Sequence, residues 1–150
     1  MIIIAETDPR DPQTVALLHQ HHALMESLFP AEDNFYLDVD ALCADNIHFY
    51  TAREGDQTLG AGAVALMDGY AEVKSMFTLP EARGKGVAAA LLRQIEDAAR
   101  AAKSPILKLE TGNSLEAAHR LYARHGFTEC AAFGPYLNAA SSIFMEKPLT

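Results

Sequence analysis

The sequence predicts an α/β chain of the α+β kind, in which one mixed β-sheet is flanked by helices. Three observations carry that prediction. Asp68-Gly69 stands between two strand-like runs, residues 59–67 and 70–78, and Asp-Gly is a strong hairpin signal because the tight turn needs positive φ. After the second run and a loop holding Gly84 and Gly86, the residues Val87, Leu91, Leu92, Ile95, Ala98, Ala99 and Ala102 fall on one helical stripe. Lys103-Ser104-Pro105 breaks that helix, and residues 106–109 form a short apolar run of the buried-strand type. A meander followed by a strand–helix–strand crossover makes the sheet mixed.

The other elements follow in order. Residues 2–5 are a β-branched run and open the chain as a strand. Asp11 caps a helix with Pro12 at its first position, and Val15, Leu18, His22, Met25 and Leu28 or Phe29 trace its face until Phe29-Pro30 ends it. Residues 34–36 are loop. Residues 38–43 are a short helix starting at Asp38 or Asp40. Residues 47–53 alternate as a strand, and residues 54–57 turn the chain into the meander. Past the crossover, Asn113 with Glu116 three residues on reads as a capping box. The helix it opens stops at His125-Gly126, with Gly as the expected residue past the last turn. Residues 127–132 and 142–147 are a closing pair of strands. The predicted order is β-α-α-β-β-β-α-β-α-β-β.

Composition bounds the function. A chain of 150 residues, nearly half of them apolar, is one ordinary domain with a real core. The net charge of −8 argues against nucleic acid as a partner and mildly favours a cationic substrate. No apolar run reaches membrane-spanning length, and the first residues lack the basic region and cleavage pattern of a signal peptide. Cys43 and Cys130 are too few for a disulfide framework and read as reduced thiols in a cytoplasmic protein. His19, His21 and His22 straddle two faces of their helix with no ligand spaced to join them, so they are expected to be solvated and no metal is expected.

The informative stretch is the loop between strand and helix. Pro80 ends the ladder, Gly84 and Gly86 free the backbone to turn, and Arg83 and Lys85 stand beside the unpaired amides at the positive end of the helix dipole. That is a site for an anion with several phosphate oxygens. A basic loop that merely caps a helix fits the same residues. Gly84-x-Gly86-x-x-Ala89, with Glu110 at the end of the next strand, also fits a dinucleotide fingerprint. Against it, residues 80–83 intervene where a tight turn is required. A second nucleotide-binding half would have to fit in the about 60 residues that remain. A nucleotide-hydrolase phosphate loop is excluded, since Leu79 and Gly86 stand where Gly and Ser or Thr are needed.

Two motifs in the right order point to a third reading. Arg83-x-x-Gly86-x-Ala88, after a strand ending at Pro80, resembles the pyrophosphate loop of the GNAT superfamily of acyl-CoA N-acyltransferases. Ala118-x-x-Leu121-Tyr122-x-x-x-Gly126-Phe127 is similar to that superfamily's second signature. The resemblance covers roughly residues 47–148 and is nearest to small bacterial members whose substrates are poorly defined. It implies the GNAT-like fold, in which the strand ending at Thr78 and the strand at 106–109 lie parallel and splay apart to admit the pantetheine arm. It implies acetyl-CoA as acyl donor, held by the backbone of Met76, Phe77 and Thr78 and by the loop residues Arg83, Gly84, Lys85, Gly86, Val87 and Ala88. The resemblance also makes Tyr122 the proton donor to the departing sulfur. The family's asparagine seven residues before this tyrosine is Leu115 here; Asn113 either takes its place at the cofactor or is only the helix cap.

Tyr122 as an ordinary amphipathic core aromatic is the alternative to its acid role. Glu72, on the central strand, is the candidate general base, against a plain solvated strand-end acid; His119, a turn before Tyr122, could relay protons or sit at the surface. Glu26, Glu32, Asp33 and Glu72 could attract an ammonium group, with Phe35, Tyr36, Phe133 and Tyr136 as an apolar wall from the segments 24–36 and 133–138; ordinary surface charge and core aromatics are the alternative. The reading is a cytoplasmic N-acetyltransferase that moves an acetyl group from acetyl-CoA to the primary amine of a small molecule or amino acid by direct attack. Its expected partner is a small amine, not nucleic acid or membrane; a homodimer is compatible with it. A non-catalytic acyl-CoA-binding module and a nicotinamide-dependent oxidoreductase are the rivals.

Overall fold

A computed structural model describes residues 1–136 and 140–149. The elements are β1 (Ile2–Glu6), α1 (Pro12–Leu28), α2 (Val39–Leu42), β2 (Ile47–Glu54), β3 (Gln57–Met67), β4 (Tyr70–Thr78), α3 (Val87–Ala101), β5 (Ile106–Gly112), α4 (Glu116–Arg124), β6 (Thr128–Glu129) and β7 (Ser142–Pro148). This is the predicted order. The strands form one sheet in the order β1-β2-β3-β4-β5-β7-β6. Every neighbouring pair is antiparallel except β4 and β5, which are parallel across the α3 crossover. The fold is the mixed sheet flanked by helices that the sequence predicts. Among the described residues no helix is long and apolar enough to cross a membrane.

The parallel pair is short. Ala71, Glu72 and Val73 pair with Leu107, Lys108 and Leu109, and the pairing ends there. Beyond it β4 stays with β3, with Phe77 opposite Ala61 and Thr78 opposite Gly60, while β5 stays with β7 as far as Gly112 opposite Ser142. The two strands therefore part toward their C-terminal ends. A bulge accentuates the parting: Ser75 and Met76 together face the single residue Gly62, and Ser75 has φ of 56°.

Each face of the sheet is covered by its own helix. Tyr50, Ala52, Val64, Val73, Leu107 and Leu109 pack with Leu91, Leu92 and Ile95 of α3 and with Tyr122 of α4. On the other face, Phe49, Ala61, Ala63 and Phe77 pack with Leu17 and Leu18 of α1. The alternation of strand side chains accounts for this split. α3 lies close to β3 because β3 offers glycine there. A Cβ on Gly60 would stand 2.8 Å from Val87 Cγ1 and 2.9 Å from the Phe77 carbonyl oxygen.

Three predicted elements shift. The buried stripe of α1 is Thr14, Leu17, Leu18 and His21, not the one through Val15, His22 and Leu28. Thr14 can be buried because its hydroxyl and amide both donate to Asp11 Oδ2, at 3.2 Å each. The capping box at Asn113 does not form: α4 starts at Glu116, with Leu115 in the cap position. The sheet delays the helix, since β5 runs on to Gly112 and the Asn113 amide still donates across to Ser141 O, 2.8 Å. β6 keeps only Thr128–Glu129 of the strand expected at 127–132, since beyond the Cys130 amide, which donates to Phe144 O (2.9 Å), the chain leaves the sheet edge.

Gly60→Ala forces a methyl group against backbone and a branched side chain. It is expected to lower stability by about 1–3 kcal/mol, read as a fall of several degrees in the thermal midpoint.

Candidate active site

The helix entrance is built for an anion. Gly84 and Gly86 have φ of 83° and 79°, conformations that L side chains rarely adopt, and a Cβ at either would meet nothing within 4 Å. Gly86 is the N-cap of α3, and the Ala90 amide makes the first bond of the helix, to Gly86 O at 3.0 Å. Among the described residues, the amides from Gly84 to Ala89 have no partner within the chain. They stand at the positive end of a 15-residue helix.

This cradle opens into a cavity of about 810 Å³ between the diverging strands. Met76, Phe77 and Thr78 line it from β4, and Arg83, Gly84, Gly86, Val87 and Ala88 line it from the loop and α3. Leu79 donates its amide to Leu59 O (2.9 Å), so strand alternation turns the amide and carbonyl of Thr78 toward the gap. Lys85 is turned outward, 3.7 Å from Glu54. Asn113 is exposed and is not part of the lining, which takes Ser114, Leu115 and Glu116 instead.

Tyr122 reaches the cavity from the α3 side. It is 6% exposed, packed against Phe127 at 5.7 Å between ring centroids. Burial, and then the Glu110 carboxylate, push its hydroxyl well above the usual phenol range, so it stays protonated. The turn after α4 fixes its height: Gly126, φ 92°, lets the Phe127 amide return to Tyr122 O at 3.1 Å. His119 is held by Gly112 O, 2.8 Å from its Nε2.

The α1 side carries the carboxylates. Glu72 is 4% exposed, not a solvated strand end, and its Oε2 accepts from Tyr136 Oη (2.6 Å) and Lys74 Nζ (3.4 Å). Lys74 Nζ also donates to Tyr136 Oη (2.7 Å) and to the Phe35 carbonyl (3.2 Å). Glu110, in the first β5 position past the paired stretch, lines the cavity itself and accepts from the Ser142 hydroxyl at 2.6 Å. Burial pushes its carboxyl above the ordinary range. His21 is buried rather than solvated. It stacks on Phe77 at 5.0 Å, and burial together with His22 lowers it to about 4. Its Nδ1 and the Ser75 hydroxyl, both at the cavity, are buried without a hydrogen-bond partner among the described residues.

Of the expected acceptor-side acids, Asp33 lines the cavity and accepts from Ser141 Oγ (2.6 Å), Glu26 takes the Tyr36 hydroxyl (2.6 Å), and Glu32 is exposed. Phe35 and Tyr36 are in the lining. Phe133 and Tyr136 pack behind it, with Tyr136 edge-on to Phe35 at 4.9 Å. Leu137 and Asn138 of that predicted segment lie outside the described residues.

A cradle of unpaired amides, a strand gap and a buried tyrosine hydroxyl meet in one cavity. Over residues 15–127 the sequence matches the Acetyltransferase (GNAT) family. The chain belongs to the GNAT family. It is 41% identical to an IAA acetyltransferase of Azospirillum brasilense, over 99% of this chain and 98% of that one. It is 36% identical to the uncharacterized N-acetyltransferase YedL of Escherichia coli K12, over 99% and 96%. A solved Klebsiella pneumoniae structure, assigned as an acyl-CoA N-acyltransferase, superposes with a TM-score of 0.84 at 32% identity and covers 100% of this chain and 99% of its own. As a GNAT acetyltransferase the chain is an acyl-CoA-dependent enzyme that draws its acetyl group from acetyl-CoA. The binding-module and oxidoreductase rivals give way to that family membership.

The sequence did not single out Glu110, His21 or Ser75 for the site. Glu110 carried a usable signal, an acid closing an apolar strand after the crossover. His21 and Ser75 carried none, because their roles depend on the helix phase of α1 and on the bulge of β4.

Gly86→Asp would bring a negative charge and a strained backbone to the cradle. Calorimetry is expected to show coenzyme A affinity reduced by at least about 10-fold with the fold retained.

Proposed function

We propose that this GNAT acetyltransferase moves the acetyl group of acetyl-CoA directly to the primary amine of a small molecule. The observation that carries the reading is the parting of β4 from β5, which opens one gap to both faces of the sheet. The phosphate cradle and Tyr122 belong to the α3 face; the carboxylates belong to the α1 face. A donor that threads the gap meets its acid on one side and its acceptor on the other.

Acetyl-CoA supplies an acetyl carbon already activated as a thioester. The amides of residues 84–89 and Arg83 hold its phosphates, and the backbone of Met76 and Thr78 receives the pantetheine arm as an added strand. An amide at the Ser75–Met76 bulge faces the carbonyl oxygen and stabilises the charge that develops there. A nitrogen–carbon bond forms as the carbon–sulfur bond breaks. Tyr122 gives its proton to the sulfur. The nitrogen loses two protons in all, one restoring Tyr122 and one passing to water. Glu72 acts as a positioning residue, since its carboxylate holds Lys74 and Tyr136 in place.

Small size follows from the cover over the acceptor side. The Ser141–Asp33 bond and the Phe35–Tyr136 edge contact tie the α1–α2 connection to the β6–β7 connection, and Lys74 of β4 donates to both Phe35 O and Tyr136 Oη. A free amine fits beneath such a cover more readily than a folded protein does. Thiol release from acetyl-CoA across a panel of amines tests the reading, and release only with protein substrates would reject it. Tyr122→Phe keeps the ring and removes the donor: kcat is expected to fall ~10- to 10³-fold with coenzyme A affinity little changed.

A further inference from the structure

The acceptor side of the cavity is apolar and aromatic, apart from a few polar groups whose partners decide what it can recognise. Leu24, Met25 and Phe29 come from α1 and its end, Phe35 and Tyr36 from the following connection, and Phe77 from β4. The Phe29 ring occupies the space that a side chain at position 112 would fill, so Gly112 exists there to seat it. Gly112 and Glu110 are two residues apart on β5 and share a face, which places the Phe29 ring beside Glu110.

The charged groups on this side differ in what they have left to offer. An ammonium has three N–H donors, and those of Lys74 are taken by Glu72, Tyr136 and the Phe35 carbonyl. Its side chain is 9% exposed, so water does not supply an easy replacement. Arg83 and Arg124, which also line the cavity, belong to the loop before α3 and to α4, across the sheet from Glu110. Glu110 keeps its second oxygen, Oε1, beyond the one that takes the Ser142 hydroxyl. Asp33 likewise gives one oxygen to Ser141, but it lies on the α1–α2 connection and not on β5 beside the Phe29 ring. Among the described residues the acceptor side thus presents carboxylates with capacity to spare, Glu110 beside the aromatic wall, and no cation with a spare donor.

We propose that Glu110 docks the ammonium of the acceptor, and that the site selects aryl-alkyl primary amines lacking a carboxylate over the corresponding amino acids. The aromatic wall takes the apolar group, and Glu110 sets the nitrogen at the mouth of the strand gap. An amino acid would bring its own carboxylate beside Glu110 and Asp33 and find Lys74 committed. This inference rests on the amine-acetylating reading above and narrows it.

The test compares 2-phenylethylamine with L-phenylalanine, which differ by one carboxylate. Both are titrated calorimetrically into the wild-type protein saturated with coenzyme A, and both are assayed for thiol release from acetyl-CoA. The amine is expected to bind at least about 10-fold more tightly than the amino acid and to have the higher kcat/KM. Glu110→Gln is expected to raise Kd and KM for the amine at least about 10-fold while coenzyme A affinity is kept. Equal or tighter binding of L-phenylalanine would overturn the proposal, as would wild-type amine affinity in Glu110→Gln. Should the variant lose coenzyme A binding as well, the wild-type comparison decides alone. Absence of thiol release with every amine would reject the proposed function, whereas the calorimetric preference would still judge the docking.

Discussion

The structure depends on where β4 and β5 stop pairing. Three residue pairs hold the parallel strands together, and beyond them each strand keeps its other neighbour. A central sheet normally satisfies every backbone group across the ladder. Here the ladder is left open at its middle, so amides and carbonyls of both strands face a gap. The open edge can be tolerated because a substrate arm with its own amides can fill it, as an added strand does. The bulge at Ser75–Met76 and the glycines opposite and beneath it let β4 bend away while α3 still packs closely on β3.

From that gap the division of labour follows. Strand alternation sends Val73 and Leu109 to the α3 face and Lys74 and Glu110 to the α1 face. The apolar face supports α3, and the start of α3 supplies the cradle of unpaired amides. α4 docks on the same face and brings Tyr122, whose burial keeps it protonated. The opposite face tolerates buried Glu72 and Lys74 because they satisfy each other and Tyr136. One short region of parallel sheet therefore sets the glycine loop, Tyr122 and the carboxylates around one gap, the places that the proposed reading gives to donor, acid and acceptor.

Much of this was legible in the sequence, because the decisive signals are local. Asp68-Gly69 fixes a hairpin by turn chemistry, and Gly84 and Gly86 sit where the backbone takes positive φ. The α3 stripe is strongly periodic, and five of its residues are buried as the pattern requires: Val87, Leu91, Leu92, Ile95 and Ala99. The α1 stripe was misread because its true face is half polar. Thr14 and His21 are buried there through Asp11 and Phe77, contacts that composition does not announce. Asn113 looked like a helix cap because cap residues are recognised by spacing, but sheet pairing to Ser141 outcompeted the cap. The strand of Glu72 is legible, but its surroundings are not, since its partners Tyr136 and Lys74 are set by tertiary packing. The bulge left no mark on the strand pattern at Ser75, so neither the break in alternation nor the unpartnered hydroxyl could be foreseen.

The central claim, that the gap between β4 and β5 is the acyl-CoA channel, is tested most directly by amide NMR. Uniformly 15N-labelled protein would be titrated with coenzyme A while every backbone resonance is followed. The account predicts the largest shifts at Gly84–Ala89, and at Met76 and Thr78 new protection of the amides from solvent exchange. Shifts confined to another part of the surface, such as the β1–β2 edge, with those amides unmoved, would contradict it.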